Sequence, residues 1–227
     1  MKLIRKTNEA EMILEFLKGE LNSSRFNESL NRTIRNLRLD TNIITDGNIE
    51  NGDENIDRLK IMKNFRGYPD EKLFENFPKI NEWKYCELDE KDIDDIYYID
   101  YDYWNELSNG TSKPVEAAKV INKGIEIYKV SNQLFLDGVE YNKANKFSPV
   151  ILITCNNEKY LIIEGHSRMT IYGFNPSKLN GTYAYVGYTT EEEMRKYDQR
   201  MLTGEEVRTR KYWKIKYRLW LLWYWKK

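Results

Sequence analysis

Two short, continuously apolar runs constrain this chain most. Val150-Ile151-Leu152-Ile153-Thr154 and Tyr160-Leu161-Ile162-Ile163 are separated only by Cys155-Asn156-Asn157-Glu158. Runs rich in β-branched residues without polar alternation suit strands buried inside a sheet, and Asn-Asn is turn chemistry. A hairpin of two central strands is therefore expected. Thr182–Gly187 reads as a further strand, as do Ile125–Val130 and Gln133–Leu136, with a turn at Leu136-Asp137-Gly138.

Helical signals surround these runs. Thr7 and Asn8 precede an amphipathic stretch with Ile13, Leu14, Phe16, Leu17 and Leu21. Ser23 or Ser24 is the expected cap of a second helix, in which Phe26, Leu30, Ile34 and Leu37 recur at helical spacing. Residues 40–55 read as a loop, with a short strand at Asn42-Ile43-Ile44 as the alternative. Helices are expected from about Asn55 to Asn64, over Asp70–Phe77 after a Gly67-Tyr68-Pro69 turn, and over Pro114–Lys123, with Ser112 as its cap and Gly124 as its end. Thr190-Glu191-Glu192-Glu193 is a capping-box start for a helix to about Met201.

Charge narrows the function classes. Lys and Arg number 36, as do Asp and Glu, so the chain is neutral overall. That lacks the whole-domain basic bias of a dedicated DNA binder. Between Trp83 and Leu107, nine acids stand against Lys84 and Lys91. This stretch reads as a solvated face with its tyrosines and Trp104 partly buried; the functional alternative brings one acid to the ligand site. Cys86 and Cys155 are too far apart in sequence to suggest a metal pair and read as reduced thiols. No signal-like or membrane-spanning apolar segment is evident, so a cytoplasmic protein is expected.

The second strand of the hairpin runs straight into Glu164-Gly165-His166-Ser167-Arg168. A short helix is expected at Met169–Tyr172, stopping at Gly173. A strand, a glycine and a helix start make an anion-binding geometry, because the first helical turn has unpaired N–H groups and the positive dipole end. Gly165, His166, Ser167 and Arg168 are the expected phosphate-binding residues. His166 and Glu164 are the candidate catalytic groups, and Glu164 the candidate metal ligand. The plain alternative is a tight turn whose arginine pairs with a nearby acid.

The segment from Pro149 through the turn to Met169 resembles the ParB/sulfiredoxin superfamily, in which a strand leads into a Gly-x-x-Arg turn that binds nucleotide phosphates. Gly165 and Arg168 match that pattern. The turn is most similar to the free-serine-kinase branch, where an Asp-Gly-His-His-Arg turn corresponds to Glu164 through Arg168. His166 stands where sulfiredoxins carry their catalytic cysteine. The resemblance covers about residues 110–190. It implies a sulfiredoxin-like mixed sheet with flanking helices, a bound ATP or other nucleotide with Mg2+, and an ATP/ADP-dependent phosphotransferase acting on a small hydroxyl compound. Such a kinase also needs an acceptor-activating carboxylate, for which Glu116, Glu126 and the acids of 87–106 are the candidates. A ParB-like DNA-binding or nuclease module with a nucleotide switch, and a non-catalytic relative used for partner binding, stay open.

The expected fold is therefore α+β (mixed α/β). A mainly helical region at 1–105 precedes a nucleotide-binding domain at 106–202 and a basic aromatic tail at 203–227. From Arg208 onward there are eight basic residues, four tryptophans and no acids, while the body through Glu206 has 28 basic and 36 acidic residues. A terminal element docked on the body, peripheral membrane contact and DNA contact are the competing readings of that tail.

Overall fold

A computed structural model describes residues 1–23, 25–71 and 74–203. The chain is an α+β protein built on one six-stranded mixed sheet. In chain order come β1 (Lys2–Thr7), α1 (Glu9–Leu21), α2 (Asn27–Asn36), α3 (Asn42–Thr45), α4 (Gly52–Arg66), β2 (Glu82–Leu88), β3 (Ile96–Tyr97), α5 (Asp102–Leu107) and α6 (Pro114–Asn122). They are followed by α7 (Gln133–Asn142), β4 (Val150–Thr154), β5 (Tyr160–Glu164), α8 (His166–Phe174), β6 (Thr182–Tyr188), α9 (Glu191–Tyr197) and α10 (Arg200–Thr203). The strand order is β1-β2-β6-β4-β5-β3. The β4–β6 and β5–β3 pairs are parallel and the others antiparallel.

The apolar hairpin sits inside this sheet for a direct physical reason. Successive side chains of a strand point to opposite faces, so a strand apolar at every position needs cover on both. Val150, Leu152, Ile162, Ala184 and Val186 join a core with Ala117, Val120 and Ile121 of α6 and Met169 and Tyr172 of α8. Ile151, Ile153, Leu161 and Ile163 join a second core with Ile13, Phe16 and Leu17 of α1 and Ile61 and Met62 of α4. Each such buried side chain stabilises the fold by roughly 1.5–3 kcal/mol over its exposed state.

Local signals place several helix starts as expected. The Asn8 side chain accepts the Glu11 N–H at the start of α1, and Thr190 accepts from Glu193 N–H at α9. Other expectations are corrected. Residues 125–130 form no strand, and 133–142 is helix α7, in which Phe135 is buried while Leu134 and Leu136 are exposed. Asn42–Thr45 is a short helix rather than a strand. Helix α2 starts after Phe26 with no side-chain cap, and Lys113 rather than Ser112 precedes α6. Strands β1, β2 and β3 all come from residues before 106, and β2 and β3 pair directly with β6 and β5 from beyond it. The sheet therefore crosses the expected division between 1–105 and 106–202.

Helices α1 to α4 cover one face of the sheet, and α8, which follows the Glu164–Arg168 turn, packs with α6 on the other. Among the described residues no helix is long and apolar enough to cross a membrane. The expected basic aromatic tail lies outside the described residues, apart from the last residue of α10.

Candidate functional site

The turn begins where β5 ends. Gly165 adopts φ 102°, in the left-handed region that favours glycine. A Cβ there would lie 2.5 Å from Val150 Cγ1, so both conformation and space require glycine. Helix α8 starts at the next residue and is longer than expected, because Gly173 continues it instead of ending it. Met169 N–H bonds to Gly165 C=O at 2.9 Å, closing the first turn. No side chain caps this helix. The N–H groups of His166, Ser167 and Arg168 thus have no intrahelical acceptors, and the positive dipole end is uncovered.

Arg168, expected as a phosphate ligand, lines the cavity described below and is bonded within the protein. Its Nη1 donates to Ser148 C=O at 2.8 Å, Ser148 Oγ at 2.7 Å and Pro149 C=O at 2.7 Å, and its Nη2 donates to Glu164 Oε1 at 2.8 Å. Both terminal nitrogens therefore brace the turn against the chain entering β4, rather than presenting a free fork to phosphate. Glu164 is paired with it through Oε1, one helical turn away, and lines the cavity described below.

His166 also differs from expectation. Its ring stacks on Trp104 at 5.2 Å between centroids and on Tyr98 at 6.0 Å. Burial, with the Arg168 charge adding to it, pushes the imidazole down to about pKa 3. At neutral pH the ring is uncharged, so it cannot serve as an imidazolium acid; its Nε2 is buried with no hydrogen-bond partner among the described residues. Ser167 is half-buried and lines the cavity.

A cavity of about 610 Å³ opens over the turn. One wall is Glu164 to Arg168, and a second is aromatic and includes Tyr101, Trp104 and Phe147. The third comes from α1, the α1–α2 connection and α4 and was not expected from sequence: Glu20, Arg25, Phe26 and Arg66. Gly19 faces the turn closely: a Cβ there would lie in ordinary contact, 3.5 Å from Glu164 Oε1 and 3.7 Å from Arg168 Nη2. The acids of 87–106 do not line the cavity; that stretch contributes Tyr101 and Trp104, while Asp89 and Asp92 form a capping box and Asp100 accepts from Asn105. Glu116 pairs with Lys119 on the surface, and neither Glu116 nor Glu126 lines the cavity.

Glu20 is, beside Glu164, the second carboxylate lining the cavity. It is 3% exposed. Its Oε1 accepts from Arg66 Nη2 at 2.6 Å, whereas its Oε2 is buried with no hydrogen-bond partner among the described residues. Burial raises its pKa to about 7, against the pull of Arg66 and with a smaller push from the Glu164 charge. A sequence signal existed. Glu20 continues the stripe of Ile13, Phe16 and Leu17 at helical spacing, so a carboxylate stands where the apolar pattern asks for a buried residue.

Glu20 and Glu164 are each paired with an arginine, and among the described residues no group of three or more His, Cys, Asp or Glu side chains is placed to hold a metal. Cys86 and Cys155 are free thiols. Comparison of the chain with protein-family models, with curated proteins and with solved structures returns no match.

Proposed function

We propose that the cavity binds a nucleotide with its phosphates at the start of α8, and that the chain is a phosphotransferase acting on a small hydroxyl compound. One observation carries this reading: an uncapped helix start and a buried carboxylate oxygen without a partner line the same cavity. The first supplies backbone donors and a positive dipole end for a phosphoryl group, joined by the Ser167 hydroxyl. The second is an acceptor for a ligand hydroxyl, and a carboxyl poised near neutral pH suits general-base work. The aromatic wall offers apolar surface to a base. In the transfer step the acceptor oxygen attacks the terminal phosphorus while Glu20 Oε2 takes its proton. The bond between that phosphorus and the bridging oxygen breaks, and the electron pair leaves with the nucleoside diphosphate. The proposed roles thus move from the expected pair of Glu164 and His166 to Glu20 as base and to the α8 backbone and Ser167 as phosphate donors.

Calorimetric titration of the intact chain with ATP, ADP and CTP tests the reading. Saturable binding of at least one is expected. Ser167→Asp should leave the fold intact or firmer, because a carboxylate suits a helix N-terminus, yet weaken that binding by about tenfold or more through repulsion of the phosphates. The absence of saturable heat from all three nucleotides sinks the proposal.

A further inference from the structure

We infer that the cavity holds a second anion seat, formed by Arg25 and Arg66, which takes a further phosphoryl group of the ligand and so selects nucleoside di- and triphosphates over monophosphates. This rests on the nucleotide reading above and specifies its ligand class. Arg25 is exposed at the cavity wall and has no ion-pair partner among the described residues. Its guanidinium lies over the Phe26 ring, 4.8 Å from the centroid. The Arg66 guanidinium also lies over Phe26, at 3.9 Å. Two cations therefore share one ring, with Glu20 as the only carboxylate bonded to either among the described residues. Arg66 is itself incompletely matched: Nη2 meets Glu20, while Nε is buried without a partner among the described residues.

The electrostatics favour an oxyanion here. The pair carries two positive charges against one bonded carboxylate. A phosphoryl group offers several acceptor oxygens, enough to meet the free edges of two guanidinium forks and relieve their mutual repulsion. The position fits a phosphate chain that starts at α8. Glu20 and Gly19 are adjacent, and Gly19 packs against the Glu164–Arg168 pair, so the arginine seat borders the turn directly. A single phosphate is satisfied at the helix start alone; a second or third reaches the arginines.

The test is a ladder of ligands titrated into the full chain by calorimetry: orthophosphate, pyrophosphate and tripolyphosphate, and in parallel AMP, ADP and ATP. Affinity should rise along both ladders, by about tenfold or more from the first member to the last. Arg25→Gln should flatten both. It should weaken ATP and tripolyphosphate by about tenfold while leaving AMP and orthophosphate within about threefold. This variant keeps the proposal open to refutation, since Arg25 makes no hydrogen bond or ion pair that the described fold depends on. Arg66→Lys retains the charge and the Glu20 pair but loses the fork, and should flatten the ladder partly. Equal affinity for AMP and ATP, or an Arg25→Gln loss uniform along the ladders, overturns the second seat and leaves the nucleotide reading standing. Failure of every nucleotide to bind overturns both.

Discussion

Arg168→Ala is expected to lower the stability of the fold by roughly 1.5–3 kcal/mol, the scale of losing hydrogen bonds to a charged group in a half-buried pair. The substitution leaves Ser148 C=O, Ser148 Oγ and Pro149 C=O without their common donor and leaves Glu164 without its counter-charge. The loss should appear as a lower denaturant midpoint with the slope unchanged. Arg168→Lys should recover only part of it, because an ammonium cannot span the 148–149 carbonyls and Glu164 in a fixed fork. Nucleotide binding should weaken in step with the loosened turn. A variant with the wild-type midpoint and abolished binding would instead make Arg168 a direct phosphate ligand and contradict the bracing role.

Gly165→Ala is the second large effect. A non-glycine residue at φ 102° costs of order 1–3 kcal/mol in backbone strain, and the new methyl would lie 2.5 Å from Val150 Cγ1 and 3.0 Å from Val150 Cβ. Overpacking adds a further 1–3 kcal/mol or so, giving about 2–5 kcal/mol in total. The two parts are separable. In Val150→Ala the clash partner is trimmed, so Gly165→Ala should cost less there than in the parent by the overpacking part alone. A double-mutant cycle on thermal or denaturant unfolding measures that coupling. Additivity of the two substitutions would mean that the turn relaxes away from β4 and that Gly165 is not held as described.

The legible parts of the fold are those whose signals are local. The β4–β5 hairpin, β6 and the capped starts of α1 and α9 follow from apolar runs and cap residues a few positions apart. Two glycines misled for a physical reason. Gly138 reads as a turn and Gly173 as a helix end, yet both lie inside helices. A Cβ at Gly138 would fall 2.2 Å from Ile171 Cδ1, and one at Gly173 would fall 2.5 Å from Pro114 C=O. They are glycine because α7 and α6 cross α8 closely, a demand made by partners distant in sequence. Strand β1 was missed because it is an edge strand with every residue but Thr7 exposed, leaving no buried pattern to read. Strand β2 was hidden because its outward Glu82, Lys84 and Glu87 merge with the acidic stretch that follows.

The same division holds at the site. The turn is legible because strand, glycine and helix start are contiguous in sequence. Its partners are not, since Glu20 and Arg66 on helices α1 and α4, and Arg25 in the α1–α2 connection, reach it only when the N-terminal helices pack across the sheet. That packing also reassigns chemistry. The residues that look reactive in the turn, Glu164 and His166, are held neutral or paired, and the less conspicuous Glu20 keeps an open oxygen.

The central claim is that the α8 turn and the N-terminal helices form one ligand site. A crystal structure of the intact chain with ATP bound tests it most directly. The account predicts phosphate oxygens within hydrogen-bond distance of the Ser167 N–H and hydroxyl, a phosphoryl group against Arg25 and Arg66, and Arg168 still bonded to Ser148 and Pro149. ATP seated away from the turn, or Arg168 released from those carbonyls to grip the phosphates, would contradict it.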